Sequence, residues 1–346
     1  MLARGGAPNQ TAMSQLARGF VTSLAAVRAL IVTNLYPTAE QPRLGRFVHD
    51  QVEAIRRLGP EVELFTFPLG GRAYLPASRG LRRFLRERDP FDVVHAHYGL
   101  CGWVASLAGA RPLVVTFHGT DVRHRVVGPS SRLLARRLDL IAGASRSTFG
   151  REGGRAGLPH PGPPTAVLPC GVDLGRFRPI DRAEARRDLG LDPGGRYLFF
   201  PSSPGRAVKR HDRAARVAEL AGAELLTAVE VDPERMPLLY NAAAAVLVPS
   251  ESEGFGLAAI EALACGVPVL ATPVGVAPLV AGSLEGCLVA PFEADAWAEV
   301  ARRHLDAGEA RIDGGPMPSA FSAERMAERV LAAWEGVAAG ASAKSG

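Results

Sequence analysis

Residues 249–270 read Pro-Ser-Glu-Ser-Glu-Gly-Phe-Gly-Leu-Ala-Ala-Ile-Glu-Ala-Leu-Ala-Cys-Gly-Val-Pro-Val-Leu. The apolar run from Ala244 to Val248 predicts a strand that enters a polar turn at Pro249. Gly254 and Gly256 then open an Ala/Leu-rich helix, and Cys265-Gly266 closes it before a second apolar strand. Glu253 lies in the turn and Glu261 inside the helix, with seven residues between them. The first N–H groups of a helix are unpaired and carry partial positive charge, so an anionic ligand is favoured at such a turn. A carboxylate beside that ligand is costly unless it accepts hydrogen bonds, and sugar hydroxyls are suitable donors. Acids placed in a first helical turn to complement its dipole would account for Glu253 alone. They do not account for both glutamates, both glycines and the Gly-Val-Pro-Val strand together.

Working outward, the same alternation recurs. Strands are predicted at Arg28 to Asn34, Glu61 to Phe67, Asp92 to His97, Pro112 to His118 and Asp139 to Gly143, with helical stretches between them, one at about Gly45 to Leu58. A second series begins at Tyr197 to Pro201 and continues near Glu224 to Thr227, Ala244 to Val248, Pro268 to Ala271 and Cys287 to Val289. Continuous apolar strands alternating with helices mean parallel sheets covered on both faces. At 346 residues the chain exceeds the roughly 250–300 at which a single core stops growing. The expected fold is therefore α/β, two doubly wound Rossmann-like domains facing a central cleft, with ligands at strand carboxyl ends. Residues 1–26 are small, polar and aperiodic, and are expected to be a disordered arm or a mis-annotated extension. Residues 27–178 form the first domain with its linker, in which Leu168 to Pro179 crosses over. Residues 179–320 form the second, 321–338 a C-terminal crossing helix and 339–346 a tail.

The string around Glu253 and Glu261 resembles the E-x7-E signature of retaining glycosyltransferases of family 4, which have the two-domain GT-B fold. A second element supports it. Phe200-Pro-Ser-Ser-Pro-Gly-Arg-Ala-Val-Lys-Arg follows the first strand of the second domain and places Arg206 and Lys209 at a helix start. Cations there oppose the helix dipole unless an anion is present. The segment is similar to the family's Gly-Arg…Lys element, which holds the donor diphosphate. Its spacing departs from that of many members, with Ala207 and Val208 alone between the cations, so Arg210 could share the role. What the resemblance implies is transfer of a sugar from a nucleoside diphosphate sugar to an acceptor hydroxyl. Glu253 would hold hydroxyls of the transferred sugar and Glu261 those of the ribose, while Gly254, Phe255, Gly256 and Leu257 present backbone near the sugar. Gly205, Arg206 and Lys209 would meet the diphosphate. Retention without a nucleophilic carboxylate is consistent with the front-face mechanism proposed for the group, in which the leaving phosphate helps deprotonate the acceptor.

In the first domain, Asp92-Val-Val-His-Ala-His-Tyr and Val114-Val-Thr-Phe-His-Gly-Thr-Asp end two strands. His118 matches the family histidine near the transferred sugar, whereas His95 reads as structural. Gly45 stands where relatives often have a Gly-Gly pair approaching the donor, and Arg46, His97 and Arg123 are candidate acceptor contacts. His95 and His97 share a strand face by period-two alternation, but a closed metal site needs further ligands with motif spacing and none is present. No Asp-x-Asp triplet occurs, so metal-independent transfer is expected, with no cofactor beyond the nucleotide-sugar donor substrate.

Charge is uneven. Residues 1–178 hold 24 Lys+Arg and 12 Asp+Glu, a net of +12; residues 179–346 hold 16 and 23, a net of −7, together the formal +5. Arg123, His124, Arg125, Arg132, Arg136 and Arg137 make a basic belt suited to a phosphate-bearing or lipid-linked acceptor, or to an anionic membrane surface. No nucleic-acid module or aromatic platform accompanies it. The four cysteines have no CxxC spacing, and no run of about 18 apolar residues spans a membrane. A cytoplasmic enzyme is expected, peripheral at the inner face of the plasma membrane if the belt meets lipid. The finer resemblance is to bacterial cell-surface polysaccharide transferases, including teichuronic-acid-type enzymes. The alternatives are a nucleotide-sugar 2-epimerase of the same fold and a non-catalytic GT-B partner subunit.

Overall fold

The computed structural model describes residues 27–150, 157–158, 162–308 and 310–345; the expectation for residues 1–26 lies outside them. Eleven described strands form two all-parallel sheets. The first contains β1 (Arg28–Thr33), β2 (Glu61–Thr66), β3 (Val93–His97), β4 (Leu113–Phe117), β5 (Leu140–Gly143) and β6 (Thr165–Val167), in the order β2-β1-β3-β4-β5-β6. The second contains β7 (Tyr197–Phe200), β8 (Glu224–Thr227), β9 (Ala245–Val248), β10 (Val269–Ala271) and β11 (Leu288–Val289), in the order β11-β10-β9-β7-β8. The strands read as unbroken apolar runs because helices cover both faces. Leu30, Ile31 and Val32 are fully buried, as are Ala245, Val246 and Leu247.

Both sheets reverse direction of growth next to their first strand, so each has a topological switch point, at β1/β3 and at β7/β9. Loops on the two sides of a switch point diverge to opposite faces and leave a crevice at the strand carboxyl ends. That topology decides where ligands sit. It puts the loop after β7, with Lys209, beside the turn after β9, with Glu253. It also puts the loop after β1 beside His97 and Tyr98.

Two chain segments join the halves side by side. Val172 donates to the Phe321 carbonyl at 2.9 Å and accepts from the Ala323 N–H at 2.8 Å. The helix Ala323–Ser345 then lies on the first domain, where Met326, Val330 and Trp334 pack fully buried among Ala29, Val52, Ile55 and Val93. Each such side chain contributes roughly 1.5–3 kcal/mol of burial, which fastens the C-terminus to the half that begins the chain. The expected tail at 339–346 is corrected: the helix continues through Ser345. Its last turns are rich in alanine, the residue that gives up least to enter a helix.

Candidate active site

The turn Pro249–Gly256 leaves β9 and opens the helix Leu257–Ala264, whose N-cap is Gly256. Within the turn, Ser250 is 2 % exposed and its hydroxyl donates to Glu253 Oε1 at 2.8 Å. The other Glu253 oxygen accepts the Lys209 ammonium, which reaches it from the loop after β7. Both side chains are largely withdrawn from water, at 15 % and 9 % exposure. Glu261 lies one helical face further in. Burial raises its pKa; the Tyr240 hydroxyl donating to Oε2 and the nearby Arg176 charge oppose that shift. Lys209, Ser250, Glu253, Gly256, Leu257 and Glu261 line one cavity of about 180 Å³ between β7 and β9. It offers two carboxylates, one ammonium and a helix N-terminus within a space suited to part of a nucleotide.

Arg206 is exposed on the loop after β7; burial raises the pKa of the Tyr98 phenol in the first domain, and the Arg206 charge opposes that rise. Arg210 takes a different part from the one its spacing suggested. It is tied to Asp212 and to Glu251 at 2.7 Å, both exposed acids, which leaves Arg206 and Lys209 as the cations of this loop nearest the cavity. A Cβ at Gly205, in the same loop, would meet the Ser203 hydroxyl at 3.9 Å, an ordinary contact. The Phe255 side chain is 7 % exposed and meets Phe321 edge-on at 5.8 Å, anchoring the turn, while its carbonyl accepts from Val276 N–H at 2.7 Å.

Across the cleft, His118 ends β4. Its N–H and that of Gly99 donate to the two oxygens of Asp121, at 3.0 and 3.1 Å, which ties the β3 and β4 exits together. Burial pushes the Asp121 carboxyl up to about 6, against the pull of those N–H groups. Tyr98, at φ 73° and ψ 146°, holds a conformation that costs a non-glycine residue about 1–3 kcal/mol. That strain sets its ring 4.6 Å from His118. The two domains meet at His118 and Gly254. A Cβ at Gly254 would stand 2.6 Å from the His118 carbonyl oxygen, so only glycine lets the turn carrying Glu253 close onto the first domain.

Three first-domain candidates are engaged elsewhere. Gly45, at φ +63°, leaves no room for a Cβ against the Leu35 carbonyl, so the turn itself requires glycine there. Arg46 bonds Asp50 and, across the cleft, Glu234, both at 2.8 Å, and Arg176 joins the same acids. Arg46 thus bridges domains. The Arg123 guanidinium is bound to Ser147 at 3.0 and 2.9 Å. His97 is brought to the site, 3.2 Å from His118. Sequence reasoning missed Ser250, Tyr240 and Asp121 as holders of Glu253, Glu261 and His118. Ser250 stands three residues before Glu253 and was legible in principle; Tyr240 has no local signal.

Two doubly wound sheets with facing switch points, and a Lys–Glu pair at a strand–turn–helix in the second, define the GT-B class of glycosyltransferases. Residues 26–176 match the family model "Glycosyltransferase Family 4" and residues 213–313 the model "Glycosyl transferases group 1". A D-inositol 3-phosphate glycosyltransferase of Actinosynnema mirum is 33% identical over 74% of this chain and 76% of its own. One of Pseudarthrobacter chlorophenolicus is 32% identical over 81% and 77%. The sucrose-phosphate synthase of Thermosynechococcus elongatus superposes with a TM-score of 0.70 over 91% of this chain and 100% of its own, at 21% identity. Anabaena HepE, solved with UDP and glucose, gives 0.65 over 90% and 100%, at 17%. The chain belongs to glycosyltransferase family 4. It is a glycosyltransferase, and the expected two-domain fold is present. The teichuronic-acid-type placement is overturned, since these relatives carry the inositol phosphate name. No helix among the described residues is long and apolar enough to cross a membrane.

Proposed function

We propose that the protein moves a sugar, with retention, from a nucleoside diphosphate sugar to a hydroxyl of a small polyol phosphate. The observation that carries the donor half is the Lys209–Glu253 pair in the cavity shared with Glu261. In this reading the diphosphate takes up the Lys209 ammonium and Arg206. The transferred sugar's hydroxyls donate to Glu253, and the ribose hydroxyls to Glu261. Charge that grows on the departing phosphate meets cations already in place, which lowers the barrier without reorganisation. The acceptor half is supported by the relatives' name, by the net +12 of residues 1–178 and by a cavity of about 460 Å³ at the ends of β1 and β2. Asn34, Tyr36, Thr38 and Thr66 are among its lining residues. Association with an anionic membrane has less behind it, because Arg123 and Arg132 bond Ser147 and the Val122 carbonyl.

Calorimetric titration with UDP, GDP and ADP sugars, each with and without inositol phosphate, tests the reading. One donor is expected to bind, and product to form only when the polyol phosphate is present. Binding of no nucleotide sugar would overturn it. We further propose that no metal takes part, Lys209 and Arg206 serving in its place; turnover is then expected to be unchanged in EDTA, and a loss restored by Mg²⁺ or Mn²⁺ would refute that.

A further inference from the structure

Three histidines form a buried column at the cleft. β3 presents His95 and His97 on one face, and β4 lies alongside and delivers His118. The rings of His95 and His97 stack at 4.8 Å, and those of His97 and His118 at 5.4 Å, each pair inclined by 24°. His95 and His97 have no exposure at all and His118 has 7%. Trp334, from the helix Ala323–Ser345, closes the column from below: its indole N–H reaches His95 Nδ1 at 3.1 Å.

An indole nitrogen only donates, so His95 Nδ1 carries no proton. The His95 proton is therefore on Nε2, where it is given to Thr116 Oγ1 at 2.7 Å. His95 is fixed as one neutral tautomer by a side chain 239 residues away. Burial favours the neutral form of His97 and His118 as well. Between them, His97 Nδ1 and His118 Nε2 stand 3.2 Å apart and share one proton. Were it on His118, the His97 proton would sit on Nε2, a fully buried atom with no partner among the described residues. A buried N–H without an acceptor is the costlier orphan; a bare lone pair is the lesser one. His97 is then the donor and His118 Nε2 the acceptor, which leaves the His118 proton on Nδ1. That nitrogen has no partner among the described residues.

The structure assigns to His97, braced through His95 by Trp334, the role of a positioning residue that holds His118 in the Nδ1–H tautomer, with that N–H offered to a ligand oxygen in the cleft. The inference rests on the reading of His118 as a residue beside the transferred sugar. The ligand class is an oxygen acceptor, a sugar hydroxyl or a phosphate oxygen. In it His118 donates, and its Nε2 cannot act as a base while His97 occupies it.

The test is ¹⁵N NMR of histidine-labelled full-length protein near neutral pH, with steady-state kinetics beside it. Wild-type His118 is expected to be protonated at Nδ1. His97→Leu removes the donor, so His118 is expected to redistribute toward Nε2–H and turnover to fall about 10²-fold, as for a misplaced reacting group, with donor KM little changed. His97→Asn, whose amide N–H lies where Nδ1–H did, is expected to restore both the tautomer and most of the turnover. A wild-type His118 protonated at Nε2 overturns the inference without recourse to any variant. So does a His97→Leu protein with unchanged tautomer and turnover. His118→Ala separates the two layers: full turnover there defeats the assignment of His118 to the cleft chemistry, whereas the tautomer measurement stands or falls on its own.

Discussion

Lys209→Ala is expected to fold and to lose roughly 10²–10³ in turnover, the range for removing one preorganised donor from a developing negative charge. Among the described residues Lys209 is the one cation lining the cavity between β7 and β9, and it is already drawn out of water against Glu253. Nothing has to reorganise when a diphosphate arrives: an ammonium has three donors and serves a carboxylate and a phosphate together. Deletion does two things at once. It removes charge from the leaving group, and it leaves Glu253 with Ser250 as its remaining partner. The double variant Lys209→Ala/Glu253→Gln separates them. If Lys209 acted solely by holding Glu253, the double variant would match Glu253→Gln alone; a further large loss places the ammonium on the diphosphate. Lys209→Arg is not expected to rescue, because a planar fork cannot occupy the site of a compact point charge. Turnover near the wild-type value in a folded Lys209→Ala protein would remove the diphosphate assignment.

How much was legible in the sequence depends on how local each cause is. The strands could be read because parallel strands buried on both faces are continuous apolar runs, as at Leu30–Val32 and Ala245–Leu247. The helix between Gly256 and Cys265 could be read from its own punctuation. β6 could not. It has three residues, half-buried or exposed at a sheet edge, and its pattern is indistinguishable from a linker. At the site, Glu253 and Glu261 stand in one string and Lys209 in one loop, so residue types in order were enough. Arg46 has a local partner in Asp50, but its second partner Glu234, and the Ser147 that holds Arg123, come from other parts of the chain, so the engagement of these cations was not legible. The same holds for the groups that hold the site: Tyr240 reaches Glu261 across 21 residues, and Trp334 reaches His95 across 239. Residues that line the cavity between β7 and β9 were readable, and the scaffolding that holds them was set by tertiary packing.

Glu253→Gln changes one atom and is expected to leave the protein folded and nearly inactive. In the free protein each Glu253 oxygen has a donor, Ser250 on Oε1 and Lys209 on Oε2. When the sugar binds, its hydroxyls are two further donors to the same carboxylate, which has about four lone-pair positions for them. An amide keeps one oxygen and turns two N–H groups toward groups that themselves donate. Lys209 can only donate and so claims the remaining oxygen, while Ser250 and a sugar hydroxyl meet the N–H groups and can accept from them only by giving up the bonds they donated to the carboxylate. Two charge-assisted hydrogen bonds are lost at about 1.5–3 kcal/mol each, which at 1.36 kcal/mol per decade corresponds to roughly 10²–10⁴ in kcat/KM. The loss is expected to fall on the sugar nucleotide and not on the nucleotide alone, since Glu261 and Lys209 remain. Calorimetry with the nucleoside diphosphate and with its sugar conjugate measures that difference directly. Equal weakening for both would mean that Glu253 supports the turn and not the sugar, and normal transfer by the glutamine variant would remove Glu253 from the site altogether.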